Sequence, residues 1–86
     1  MKHGQNRAEL SDEFRYVAEI SNGVGQVIAY VGMNDHRADD AREAILMIDD
    51  YEVEDVQYDR MGPNCWSYNC SGELEGNKEF LTVTIK

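Results

Sequence analysis

The chain is poor in cysteine and proline, and it contains no long apolar run. Its two cysteines are too few for the disulfide framework of a small secreted domain. No stretch resembles a signal peptide or a membrane-spanning helix, so a cytoplasmic location is the simplest expectation. A length of 86 residues favours one domain, because two separate hydrophobic cores need more chain.

Positive charge is also scarce. Eight lysines and arginines stand against 17 aspartates and glutamates, which gives a net charge of −9. Such a field repels phosphate backbones, so direct binding to nucleic acid is disfavoured and a basic protein surface is the natural partner. The apolar content of 42% is that of an ordinary folded domain. We therefore expect the chain to fold despite its charge.

Hydrophobic periodicity predicts most of the secondary structure. Residues 1–11 are polar and are expected to form a flexible leader, with a single α+β domain over 12–86. Period-two alternation predicts strands at 14–21, 27–33, 53–61, 65–74 and 80–86. An Asn22-Gly23 pair predicts a tight hairpin turn between the first two strands. A helix is expected to start after Asn34 or Asp35 and to end near Asp50 or Tyr51.

The order strand, strand, helix, strand, strand, strand predicts an α+β fold. Short connections favour antiparallel neighbours, and a single helix covers only one face of a sheet. We expect four or five antiparallel strands with one helix packed on one face. The other face is then open to solvent unless a partner or a second copy covers it, and its candidate residues are Val17, Ile28, Tyr30, Trp66 and Tyr68.

No pattern for catalysis or for binding a metal or cofactor is convincing. Gly23-Val24-Gly25 lacks the third glycine of a dinucleotide-binding loop and joins two strands. Cys65 and Cys70 lack zinc-knuckle spacing, and in one regular strand they would point to opposite faces. Acid catalysis needs a buried carboxyl group with a raised pKa, and the carboxylates of this chain lie in a polar run that favours solvation. The acidic segment also lacks the glycine and the alternating ligand order of an EF-hand calcium loop. We therefore expect no enzyme, no cofactor and no metal.

Residues 35–59 concentrate the negative charge. They contain ten carboxylates against Arg37 and Arg42, a local charge of −8. On the predicted helix, Asp39, Glu43, Leu46 and Asp50 align at helical spacing. An apolar side chain ringed by charges is typical of a protein interface, although acidic runs are also common as solvated faces. The residues expected to bind a partner are Asp39, Glu43, Leu46, Met47, Asp50, Glu52, Glu54, Asp55 and Asp59.

In its size, element order and carboxylates such as Asp39, Glu43 and Asp50, the chain resembles the small acidic inhibitors carried by phages and mobile elements. That class includes anti-CRISPR proteins and DNA mimics. The resemblance implies a non-enzymatic inhibitor in the host cytoplasm. It would occupy a groove lined by lysine and arginine on a nucleic-acid-handling protein and compete with DNA or guide RNA.

Three other interpretations remain open from the sequence. An antitoxin or immunity protein also presents an acidic surface to a basic target, because opposite charges attract the two proteins to each other. A self-associating module, a homodimer in the simplest case, would pair through Val17, Ile28 and Tyr30 on the open sheet face. A small enzyme or metal protein would use Cys65, Cys70 and His36.

Overall fold

One antiparallel sheet of six strands organises the chain, and two helices pack on it. The computed structural model describes all 86 residues apart from the side chain of Met61. The elements are β1 (Lys2–Gly4), α1 (Arg7–Ser11), β2 (Tyr16–Ser21), β3 (Val27–Met33), α2 (Ala38–Leu46), β4 (Tyr51–Gly62), β5 (Cys65–Leu74) and β6 (Asn77–Ile85). Across the sheet the strands follow the order β1-β3-β2-β6-β5-β4.

The predicted α+β class and antiparallel sheet are confirmed, but the predicted number of elements is wrong. The structure has six strands and two helices in place of four or five strands and one helix. The additional elements, β1 and α1, both lie within residues 1–11, which were expected to form a leader. They escape periodicity analysis because β1 has three residues and α1 has five. Asn6 caps α1 by accepting a hydrogen bond from the Glu9 amide at 3.0 Å.

Helix α1 packs on the sheet face opposite to α2 and covers β1, β3 and β2. Two glycines allow this close approach. A Cβ on Gly4 would lie 2.9 Å from Leu10, and a Cβ on Gly32 would collide with the ring of Phe14. Leu10 and Val17 are consequently buried although neither belongs to the main core. Much of the face that was expected to stay open is thus closed by the chain's own beginning.

Helix α2 forms the main core with the other face of the sheet. Its buried residues Ala41, Ala44 and Ile45 pack against alternate residues of the strands, among them Ala18 and Val31. The register makes β3 and β4 run in the same direction, so the chain needs a crossover between them, and α2 supplies it. The two small alanines bring the helix axis close to the sheet.

Both predicted ends of α2 need correction. The helix begins after Arg37, whose amide donates to the Asp40 carboxylate at 3.0 Å, so neither Asn34 nor Asp35 is its N-cap. It ends at Leu46, four residues before Asp50. The apolar spacing continues to Ile48 because residue 48 still packs against the core, but it does so from a turn. Helical periodicity alone therefore overestimates the length.

The predicted β2–β3 hairpin is confirmed, although its turn works differently from the expectation. The Asn22 side chain accepts hydrogen bonds from the amides of Val24 at 3.1 Å and Gln26 at 3.0 Å. The positive φ angle falls on Gly25, at 82°, and not on the Asn22-Gly23 pair. Asn22 thus acts through its side chain, as in an Asx turn.

The open part of the far face is largely polar, although Phe80 is exposed on it. Trp66 and Tyr68, two candidates for that face, lie instead on the side of α2, as their register with Ile85 and Val83 shows. Where α1 does not reach, β5 and β6 present Asn69, Thr82 and Thr84 beside the buried Ser67. The predicted pairing face of Val17, Ile28 and Tyr30 is also incomplete, since Val17 is only 2% exposed.

Candidate functional site

The strongest concentration of charge surrounds an open groove of about 750 Å³. The groove lies where the end of α2 meets the first residues of β4, the end of β5 and the β5–β6 turn. Five carboxylates line it together with a few apolar side chains, and no basic residue does. Its lining is Leu46, Ile48, Asp49, Asp50, Tyr51, Glu52, Glu73, Glu75 and Gly76, and we call it the acidic groove.

The exposed side of α2 leads into the acidic groove. Asp39 and Glu43 are exposed and one helical turn apart, so they project from the same side of α2. Leu46 follows on that side, is 57% exposed, and belongs to the groove lining. Asp39, Glu43, Leu46 and the acidic groove thus form one continuous surface, which we call the acidic surface.

Of the nine residues predicted to bind a partner, five lie on this surface: Asp39, Glu43, Leu46, Asp50 and Glu52. Met47 is half-buried and packs against the core. Asp55 and Asp59 lie further along β4, where each lines a separate shallow pocket on the open polar face. Glu54 is exposed at an irregularity in the register of β4. The predicted row ending at Asp50 is interrupted, because that residue lies beyond the helix.

Sequence reasoning missed Glu73 and Glu75, which β5 and the following turn bring to the groove. Glu73 is the direct cross-strand neighbour of Glu52. Like charges in that position destabilise a sheet, by a few tenths to about 1 kcal/mol. Nothing in the local sequence indicates this pair, since it depends on the pairing of β4 with β5.

No carboxylate of the groove lining forms a salt bridge in the part of the chain that the structure describes, although Lys78 of β6 is the direct cross-strand neighbour of Glu73. Within the described residues, salt bridges engage Glu13, Glu19, Asp35 and Asp59, and none of these lines the acidic groove. The groove therefore presents its charge outward, and the field of neighbouring carboxylates adds to it.

Two turns are joined at the rim of the groove. The amide of Glu75 donates to the carbonyl oxygen of Asp50 at 3.1 Å. Both residues have positive φ angles, 53° for Glu75 and 62° for Asp50, a conformation that is uncommon for residues other than glycine. This hydrogen bond fixes the backbones of the two turns relative to each other.

Comparison of the chain with protein-family models, curated proteins and solved structures gives no match. No helix of the described chain is long and apolar enough to cross a membrane.

The cysteines and histidines do not come together as a site. Cys65 lies on the open polar face and Cys70 in the core, so the prediction that they point to opposite faces is confirmed. His36 stacks on Trp66, with ring centroids 3.7 Å apart. Among the described residues, no group of three or more His, Cys, Asp and Glu side chains is placed to hold a metal ion.

The environment of Cys70 keeps its thiol protonated. Burial raises its pKa to about 11, with Asp55 adding to the effect. Burial likewise raises the pKa of Tyr51 to about 12. Because folding favours the protonated forms, this contribution to stability is complete below the ordinary pKa of each group. It is lost as the pH rises through the raised values.

We expect the two thiols to differ sharply in reactivity. A Cys70→Ser variant, which keeps the partly exposed Cys65, should react rapidly with a disulfide reagent near about pH 8. A Cys65→Ser variant should react at least about tenfold more slowly, because its remaining thiol is buried and protonated. Both should react fully in denaturant. Equal rates in the native variants would contradict the assigned burial of Cys70.

Proposed function

We propose that the protein is a non-enzymatic binding protein whose acidic surface occupies a basic groove of a nucleic-acid-handling protein and inhibits it. The observation that carries the proposal is the convergence of Asp49, Asp50 and Glu52 with Glu73 and Glu75 around one open groove. These carboxylates come from separate parts of the chain and have no cation of their own in the lining. Such an arrangement costs folding free energy, which favours a role in binding.

The chemistry of the surface suggests how the partner is recognised. Carboxylates spaced along α2 and around the groove match lysine and arginine side chains that otherwise hold phosphates. Leu46 gives the contact an apolar centre from which water is excluded. Long-range attraction would steer the encounter, and competition with DNA or RNA would follow from occupation of the same cations.

The cross-strand pair Glu52 and Glu73 provides a sharp test. A Glu52→Lys variant turns a repulsive pair into an attractive one, so its free energy of unfolding should rise by up to about 1 kcal/mol. Partner binding should fall at least about tenfold, because a cation replaces a carboxylate in the groove. Stability and binding are thus expected to change in opposite directions, which a variant damaged in folding would not show.

The measurement is a pull-down from lysate at low and high salt, followed by a binding assay of the retained protein with its nucleic acid. Wild type should retain a basic nucleic-acid-binding protein, release it as salt rises, and block its binding to DNA or RNA. Asp12→Lys is the matched control, because it makes the same change in charge. Asp12 is exposed at the end of α1, far from the groove. Equal retention by wild type and Glu52→Lys, or a partner that still binds nucleic acid, would refute the proposal.

A further inference from the structure

Asn22 is the one asparagine of the chain that is followed by a glycine. Such a pair is chemically labile, because glycine has no Cβ to keep its amide nitrogen away from the preceding side chain. In deamidation, the Gly23 nitrogen loses its proton and attacks Cγ of Asn22. The new N–Cγ bond closes a succinimide ring, the Cγ–Nδ2 bond breaks, and ammonia leaves. Water then opens the ring to aspartate or isoaspartate.

In the native hairpin, both reacting groups are held in hydrogen bonds. The amide of Gly23 donates to Oε1 of Glu79 at 3.3 Å. Oδ1 of Asn22 accepts from the amides of Val24 and Gln26 at 3.1 and 3.0 Å. The backbone amide of Asn22 donates to the carbonyl oxygen of Gln26 at 2.9 Å. The side chain of Asn22 can therefore turn toward the Gly23 nitrogen only if these contacts break.

The direction of the Gly23 N–H bond is unfavourable for the attack. When an amide loses its proton, the electron pair left on nitrogen takes the place of the N–H bond, and the new bond forms along that line. In the hairpin this line leads to the carboxylate of Glu79, so Cγ of Asn22 does not lie on it. The negative charge of Glu79 also opposes loss of the proton, because two anions would then lie side by side.

Glu79 reaches the hairpin from a distant part of the chain. It belongs to β6 and lies 56 residues after Gly23. Strand β6 pairs with β2 as far as Thr82 and Ser21, which brings Glu79 next to the turn. The contact therefore exists only in chains whose β6 has joined the sheet.

We propose that Asn22 is a site of spontaneous deamidation and that Glu79 holds the reaction back in the native protein. Modification is then confined to chains in which the hairpin has opened or β6 has not paired. Isoaspartate adds a backbone atom between β2 and β3, so a modified chain does not rebuild the same turn. The acidic surface takes no part in this reaction, so either proposal can fail while the other holds.

The test is mass spectrometry of the full chain during incubation at mildly alkaline pH. Peptide mapping locates the exchange of an amide for a carboxyl group and separates aspartate from isoaspartate. Native wild type should deamidate at Asn22 at least about tenfold more slowly than the same chain in denaturant, because reaction requires local opening.

Two variants at residue 79 test the role of its carboxylate. Glu79→Ala removes the hydrogen-bond acceptor, so the native protein should deamidate at least about threefold faster than wild type. Glu79→Gln keeps an acceptor of the same shape without the charge, and its rate should lie between the two. Glu54→Ala is the matched control and should not change the rate, since Glu54 is exposed on β4, which β5 and β6 separate from the hairpin. In denaturant all four chains should react equally.

Three results would overturn the proposal. The first is a native wild type that deamidates at Asn22 as fast as the denatured chain, or a denatured chain that does not deamidate there. The second is an equal rate in Glu79→Ala and Glu54→Ala. The third concerns general loss of stability: wild type in enough urea to match the unfolded fraction of Glu79→Ala would then deamidate as fast as that variant.

Discussion

Replacing Gly72 with alanine should lower the free energy of unfolding by more than about 3 kcal/mol. A Cβ at this position of β5 would lie 2.8 Å from the ring of Tyr51 and would collide with the carbonyl oxygen of Glu52. The ring cannot move aside freely, because its hydroxyl donates to the carbonyl oxygen of Glu79 at 2.9 Å. A carbonyl oxygen can retreat only if the pairing of β4 with β5 changes.

Chemical denaturation of the Gly72→Ala variant would measure this effect. A domain of this length has a stability of roughly 4 to 13 kcal/mol, so a loss of that size is a large part of the total. Gly62→Ala is the control. Gly62 is also a strand glycine, but nothing lies within 4 Å of an added Cβ there. If Gly72→Ala lowered the free energy of unfolding no more than Gly62→Ala does, β4 and β5 would have to pair differently.

Replacing Leu10 with alanine should cost about 2 to 5 kcal/mol of unfolding free energy. Leu10 is 1% exposed and packs on Gly4, so its removal leaves a cavity between α1 and the sheet. The result would establish that the first eleven residues belong to the folded domain. A flexible leader would lose nothing measurable on the same change.

The control for Leu10→Ala is the same substitution at Leu46. That leucine is 57% exposed, and alanine has the higher helix propensity, so the unfolding free energy should change by less than about 0.5 kcal/mol. Equal effects of the two substitutions in thermal or chemical denaturation would contradict the packing of α1 on the sheet.

The sequence is informative where one face of an element is buried over many residues. The β2–β3 hairpin, strand β5 and helix α2 are long enough for alternation or helical spacing to appear. The shared parity of Trp66, Tyr68 and Cys70 follows from the same rule. Elements β1 and α1 are too short for any period, and the burial of Leu10 depends on two glycines distant in sequence.

In the candidate site, the residues that share one helix were predictable from the sequence, and those brought together by strand pairing were not. Asp39, Glu43 and Leu46 share a helix, so their spacing places them together. Glu73 reaches the groove through the pairing of β5 with β4, which is a non-local property of the sheet. The end of α2 was misjudged because Ile48 packs against the core from a turn and so imitates a helical position.

The position of β6 has a consequence for how the protein reaches its native state. Without β6, the strands form two ladders, β1-β3-β2 and β5-β4, that share no hydrogen-bonded neighbour. During synthesis the joining strand, Asn77–Ile85, leaves the ribosome after all the others. Until then β2 and β5 both have unpaired edges, and the nascent chain depends on the arrival of one segment to close them. Pairing of β6 is therefore expected to be the step that completes the sheet, at a rate limited by long-range strand pairing.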